Sequence, residues 1–207
     1  MKIYVEGGGD HAKLKRECRR AFSKFFEKAG FKGRMPRIVA CGSRGSTYDD
    51  FCTAVGTATN EELPLLLVDS EAPVQSQHQR AGHFDPWGHL HALDCWEQPA
   101  NSDDEQAHLM VQCMEAWFLA DRQCLQNFFG NNYQSTALPG NPDIETVEKQ
   151  QLFDALENST HHTQKGEYRK GAHSFKILEL LDPDKVFKKS PWAERLRVKL
   201  NKELSDY

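Results

Sequence analysis

The sequence predicts an α/β protein: a mainly parallel sheet flanked by helices, followed by a helical C-terminal extension. Three observations carry this reading. Short runs of β-forming residues recur along the first half of the chain. Segments of helical periodicity separate them. The resulting order strand–helix–strand–helix–strand builds a parallel sheet with helices on its faces.

The elements follow in order. "KIYVEG" (2–7) is a short apolar strand carrying Ile3, Tyr4 and Val5. From His11 to Gly30 the period changes, with Leu14, Cys18, Ala21, Phe22, Phe25, Phe26 and Ala29 at helical spacing and Lys and Arg between them. Asp10 is placed to cap this helix and Gly30 to close it. "PRIVACG" (36–42) is a second strand. Ser46 with Asp49 three residues on resembles a capping box, which predicts a helix over 46–59. "LPLLLVDSE" (63–71) is apolar throughout its strand part, as a central parallel strand is.

Residues 72–88 are rich in Gln, His, Gly and Pro and read as a long loop. "HLMVQC" (108–113) reads as a fourth strand and "MEAWFLADRQCLQNFF" (114–129) as one helix leaving its end. Further helices are expected over 144–156, 175–181 and 192–204. In the last, Trp192, Leu196 and Leu200 form an i, i+4, i+8 stripe that fits the protein's own core first and self-association into a homo-oligomer second. The expected division is a core over 1–135 and a helical extension over 136–207 packed on it.

The chain of 207 residues, 39% of them hydrophobic, is an ordinary globule able to bury a core. No apolar run approaches the roughly 18 residues of a membrane span, so no membrane is expected as a partner. Lys13, Lys15, Arg16, Arg19 and Arg20 leave no room for a signal-peptide stretch at the N-terminus. None of the six cysteines pair at C-x-x-C spacing, which points to reduced thiols in a cytoplasmic protein. Charge is segregated. Residues 1–44 hold 12 Lys and Arg against 4 Asp and Glu, residues 45–158 hold 3 against 19, and residues 159–207 hold 11 against 7. Solvated helix faces account for such runs; so do basic flanks that attract a polyanion around an acidic, metal-holding centre.

The carboxylates line up. Glu6 ends the first strand, Asp69 and Glu71 end the third, and Glu115 follows the fourth. Ligands of an open parallel sheet bind beyond the carboxyl ends of its strands. Acids gathered there repel and raise one another's pKa unless a cation neutralises them. A hard cation fits such a donor set, Mg²⁺ being the usual one beside phosphate. Gly7, Gly8 and Gly9 let the backbone approach a phosphate. The run matches neither the P-loop pattern nor G-x-G-x-x-G, and a bare turn is its plain alternative.

"YVEGGGD", "LLLVDSE" and "MEAWFLAD", in that order, resemble the Toprim domain of topoisomerases, primases and overcoming-lysogenization-defect nucleases. They resemble more closely the Toprim-like domain-of-unknown-function 4276 family. The resemblance covers residues 1–125 well and implies a Toprim-like Rossmannoid fold. It also implies a Mg²⁺-dependent nuclease, with Mn²⁺ as a substitute. RNA (tRNA among them) or DNA would be its substrate, and an AAA- or ABC-type ATPase encoded nearby its partner in anti-phage defence. On this resemblance Glu6 matches the general acid/base glutamate and Asp69 the first acid of the Asp-x-Asp pair. Glu71 stands where Asp is usual, and its extra methylene alters the metal geometry. Glu115 is a further ligand in the nuclease branches. The late lysine of Toprim nucleases maps to Lys176 in "AHSFKILEL", whose plain reading is a surface lysine.

Arg44, in the flexible "GSRGS", is suited to phosphate contact. Asp121 lies six residues beyond Glu115, about 240° round a continuous helix, which suits a cap. His83, His89 and His91 read as loop histidines before metal ligands, and Trp96, Trp117 and Trp192 as core before stacking platforms. Two alternatives to a nuclease stay open: a non-catalytic module that binds an ATPase, and a small-molecule phosphohydrolase.

Overall fold

The computed structural model describes residues 1–59, 62–80 and 82–204. Residue 81 of the expected 72–88 loop and residues 205–207 of the expected extension lie outside them. Four strands, β1 (Lys2–Gly8), β2 (Arg37–Gly42), β3 (Pro64–Asp69) and β6 (Ala107–Met110), form one sheet in the order β2-β1-β3-β6. Every pairing is parallel, with Val5 opposite Leu67 and Asp69 opposite Met110. The all-apolar run of β3 is buried on both faces, and its side chains divide by period two. Leu65 and Leu67 join Ile3, Val5 and the phenylalanines of helix α1 (Ala12–Phe26) in one core. Leu66 and Val68 face Phe51 and Val55 of helix α2 (Arg44–Thr57), with Trp87 and Trp192, in the other.

The first core also takes Trp117, Phe187, Leu196 and Leu200, so residues on both sides of position 135 share it. Trp117 stacks on Phe25, their centroids 5.3 Å apart, and Phe187 meets the same ring edge-on. Helix α8 (Pro191–Leu204) buries Trp192, Leu196, Leu200 and Leu204, the expected stripe, in the protein's own interior. Arg195 of that helix is buried too, and its guanidinium donates to the carbonyl of Ala107 (2.7 Å) in edge strand β6 and to that of Asp104 in the 3₁₀ turn before it.

Several elements depart from the pattern expected of them. Asp10 does not cap α1: the N-cap position falls on His11, without a side-chain hydrogen bond. Gly30, at φ +92°, does turn the chain out of the π-type turn that continues α1. Helix α2 starts two residues earlier than expected, because Ser43 is already extended after Gly42 and its hydroxyl accepts from the Ser46 amide at 3.2 Å. The 72–88 loop contains a two-residue hairpin, β4 (Gln79–Arg80) and β5 (His83–Phe84), and the start of α3 (Pro86–Asp94). Asp85 caps α3 by accepting from Gly88, with Pro86 in the first turn where no amide is missed.

Residues 114–129 are not one helix. A 3₁₀ stretch over Met114–Ala120 breaks at Asp121, and α4 (Arg122–Phe129) starts afresh. Asp121 causes the break: its carboxylate caps α4 at Cys124, accepts from the Asp182 amide and pairs with Lys185 at 2.7 Å. The 240° argument separating Asp121 from Glu115 therefore fails, although its role as a cap stands. Beyond lie α5 (Lys149–Thr160), α6 (Lys170–Leu178) and α7 (Pro183–Lys189). Helix α6 begins five residues before the expected Phe175, and α7 had no counterpart in the sequence reading. All six cysteines are unpaired thiols, and among the described residues no helix is long and apolar enough to cross a membrane.

Candidate metal centre

The carboxyl ends of β1 and β3 meet at one cavity of about 270 Å³, lined among others by Glu6, Gly8, Gly9, Asp69, Lys170 and Ser174. Backbone geometry builds its floor. Glu6, Gly7 and Gly8 all fall opposite Gly42, so β1 loses register as it leaves the sheet. Gly8 holds φ +90°, and a Cβ there would stand 2.6 Å from the Lys15 amide nitrogen of α1. Gly42, at φ +106°, would place a Cβ 2.5 Å from the Gly9 carbonyl. The two glycines let strand end and helix start touch, a contact that L side chains would prevent. Gly9 differs: nothing lies within 4 Å of where its Cβ would point.

Three carboxylates cluster at these strand ends. Glu6, Asp69 and Glu71 each offer one oxygen, and these oxygens all lie within 4.8 Å of one another. Asp69 is buried at the end of β3, and its Oδ1 accepts from the Met114 amide at 2.8 Å. Burial pushes its carboxyl up to about 7; Lys170 opposes the rise, and Glu115 and Glu6 add to it. Glu6 is also raised, first by burial, against the pull of Arg44. Glu71 sits at φ +62°, left-handed for a residue with a side chain, its amide donating to Gln112 O at 2.8 Å and its carboxylate paired with Lys149. Backbone held in this region costs about 1–3 kcal/mol and gathers at functional sites.

The expected residues separate into those at the cavity and those away from it. Glu115 is fully buried and outside the cluster of three. Its Oε1 accepts from the Tyr168 hydroxyl at 3.1 Å, and its Oε2 has no hydrogen-bond partner. Lys176 is exposed on α6 and absent from the cavity wall. The lysine in the cavity wall is Lys170, one turn and a half earlier, its Nζ 3.5 Å from Asp69 Oδ2 and 3.7 Å from Glu115 Oε2. Both acids together outweigh burial and raise its pKa. The early start of α6 is what delivers Lys170; the sequence reading missed it because Gly171 and Ala172 dilute the periodicity there.

Arg44 reaches the site with its fork already engaged. It bridges Asp94 at 2.6 and 3.1 Å, meets Glu6 at 3.3 Å and donates to the Asp69 carbonyl. Its guanidinium lies over Trp96 at 4.8 Å, and Trp96 stacks on Tyr48 at 4.4 Å. Arg44 is thus a brace on Glu6 rather than a group free to meet phosphate. His89 is buried against Ser70 O at 2.9 Å, and His91 pairs with Glu97 at the surface. Among the described residues the only cluster suited to a metal is the carboxylate one.

A family described as "Domain of unknown function (DUF4276)" matches residues 5–201. The chain belongs to this family. No curated protein and no solved structure matched the chain. The DUF4276 span takes in the whole cavity wall, with Glu6, Asp69 and Lys170, and also Glu71 and Glu115.

The donor set fits a hard cation. It is all oxygen, it carries three formal negative charges, and Asp69 keeps one oxygen turned from its amide donor toward the cavity.

Proposed function

We propose that the protein is a metal-dependent phosphodiesterase acting on nucleic acid, of Toprim-like kind, with Mg²⁺ held by Glu6, Asp69 and Glu71. One observation carries the reading: three carboxylates from two strand ends converge beside a glycine-floored cavity that also holds a lysine ammonium. Bound Mg²⁺ would supply Lewis-acid neutralisation of charge developing on a phosphodiester. The chain's own groups do the rest. Glu6, its carboxyl raised above the ordinary value by burial, is suited to exchange a proton with water or a leaving oxygen. Gly8 and Gly9 leave a backbone surface that a phosphate can approach without meeting a side chain. Lys170 brings a second positive charge to the same wall. Action on RNA, tRNA or DNA in anti-phage defence, beside an AAA- or ABC-type ATPase, rests on the family resemblance alone, and Mn²⁺ would substitute for Mg²⁺.

One observation favours a second reading, a non-catalytic module that binds a partner. Each acid of the cluster already has a cation from the chain: Arg44 at Glu6, Lys170 at Asp69, Lys149 at Glu71. The fold balances these charges by itself.

Calorimetric titration with Mn²⁺ and Mg²⁺, followed by cleavage assays on labelled RNA and DNA, separates the readings. Saturable binding lost in Asp69→Asn, with metal-dependent polymer cleavage, is the expected result. A folded protein that binds neither ion overturns it in favour of the partner-binding module. Turnover of nucleotides with intact polymers would identify a small-molecule phosphohydrolase instead.

A further inference from the structure

Glu115 is the one acid near the cavity that no cation site needs. It is fully buried, outside the three-carboxylate cluster, and its Oε2 has no hydrogen-bond donor. A buried carboxyl oxygen without a hydrogen-bond donor is costly and is retained where it serves something. What faces it is Lys170. The ammonium stands nearly midway between Asp69 Oδ2 (3.5 Å) and Glu115 Oε2 (3.7 Å), too far from either for a normal hydrogen bond. The other oxygen of each acid is already engaged, Asp69 Oδ1 with the Met114 amide and Glu115 Oε1 with Tyr168. The lysine therefore has two vacant acceptors and occupies neither. Its side chain is 54% exposed, and its Nζ also lies 5.8 Å from the centroid of the Phe153 ring.

A divalent cation entering among Glu6, Asp69 and Glu71 would claim the Asp69 oxygen that Lys170 now faces, and it would repel the ammonium. Glu115 offers the ammonium a place to go. We propose that Lys170 is an internal counter-ion that a bound cation displaces from Asp69 onto Glu115, so that Glu115 positions Lys170 instead of ligating metal. The assignment rests on the cation-binding part of the proposed function, and not on the reaction. It gives the cavity two charge arrangements. Without a cation, Lys170 stands between Asp69 and Glu115. With one, Lys170 sits against Glu115 and still presents a positive edge to the cavity.

A double-mutant cycle in Mn²⁺ affinity, measured by calorimetry on wild type, Lys170→Met, Glu115→Gln and the double variant, tests this. Lys170→Met removes the competitor, and Mn²⁺ binding tightens about tenfold, the scale of one pKa unit of charge interaction. Glu115→Gln takes away the refuge, and binding weakens. In the Lys170→Met background the same Glu115→Gln change has almost no effect, because no ammonium remains to be placed. Equal weakening in both backgrounds would make Glu115 a ligand and overturn the proposal. So would unchanged affinity in Lys170→Met. Absence of Mn²⁺ binding in the wild type would instead overturn the metal reading itself.

Should Glu115→Gln fail to fold, the wild type decides. Amine acylation read by mass spectrometry must show Lys170 protected by Mn²⁺ while Lys176 on the same helix is unaffected. Unchanged or increased Lys170 modification overturns the displacement.

Discussion

Glu6 is where the proposed chemistry is most exposed to test. Glu6→Gln keeps size and hydrogen bonding but cannot take up a proton as a carboxylate does. Metal-dependent cleavage should fall by roughly 10²-fold or more, the usual scale of a lost general acid or base, with an unchanged thermal melt. Wild-type cleavage by a folded Glu6→Gln protein would remove it from the mechanism. The glycines beside it divide in their tolerance. Gly8→Ala drives a Cβ into the backbone of α1 at positive φ and should cost about 2 kcal/mol or more. Gly9→Ala, at φ +49° and facing open space, should cost only the left-handed penalty of about 1–2 kcal/mol. Denaturant midpoints for the two variants check the order. The three clustered acids were legible in the sequence because a parallel sheet brings strand ends to one edge, whatever the loops do. Their cationic partners were not. Lys170 and Lys149 arrive from helices whose starts no periodicity marks, and Arg44 was legible as a cation near the edge but not as one already held by Asp94.

Among the elements, α8 has an entry that depends on pH. Glu145, buried on the short turn before α5, accepts from the Ser190 hydroxyl and from the Trp192 amide at 3.1 Å. Burial raises its carboxyl to about 7, against the two hydrogen bonds that lower it. An acid raised on folding binds more protons in the native state than in the unfolded one. Its contribution is therefore fully present below about pH 4.5 and lost as pH climbs to about 7. Glu145→Gln keeps an oxygen to accept both bonds. It should melt like the wild type near pH 4.5 and be more stable by about 1–3 kcal/mol at pH 8. An unchanged stability difference across that range would mean that Glu145 titrates normally. Elements with one strong signal were readable: β3 from its unbroken apolar run, α1 and α8 from their stripes. The 114–129 segment misled because its apolar residues are buried all round in a 3₁₀ stretch, where composition resembles a core helix and only the Asp121 caps reveal the break. The hairpin of β4 and β5 rests on two residues a side, too few for any alternation to show.

Over the whole molecule, the basic first segment becomes a surface. Lys13, Arg16, Arg20 and Lys24 are exposed and fall within about 80° of arc on the solvent side of α1. Arg20 ties α1 to the end of α6 through Glu179, while Lys13 and Arg16 make no ion pair among the described residues. Leu14, next to Lys13 in the chain but on an adjoining face of α1, lines the cavity. If the basic face carries a nucleic-acid strand past the carboxylates, affinity falls steeply with salt. Four phosphates engaged give a slope of about −3 to −4 in log affinity against log salt. Filter binding in EDTA between low and moderate salt measures it, and a flat line would leave the stripe a solvated helix face.

The hydrogen bonds from Arg195 to the edge of β6 have a consequence of another kind. An outermost strand with free carbonyls is a template on which a second chain can add, and aggregation starts at such places. Here the carbonyl of Ala107 is taken by a guanidinium from a residue 88 positions later. At ribosomal speeds of about 5–20 residues per second, β6 is made roughly 4–18 seconds before its guard. Over that interval the nascent chain carries an uncovered sheet margin, and its safety depends on what else in the cell is holding it.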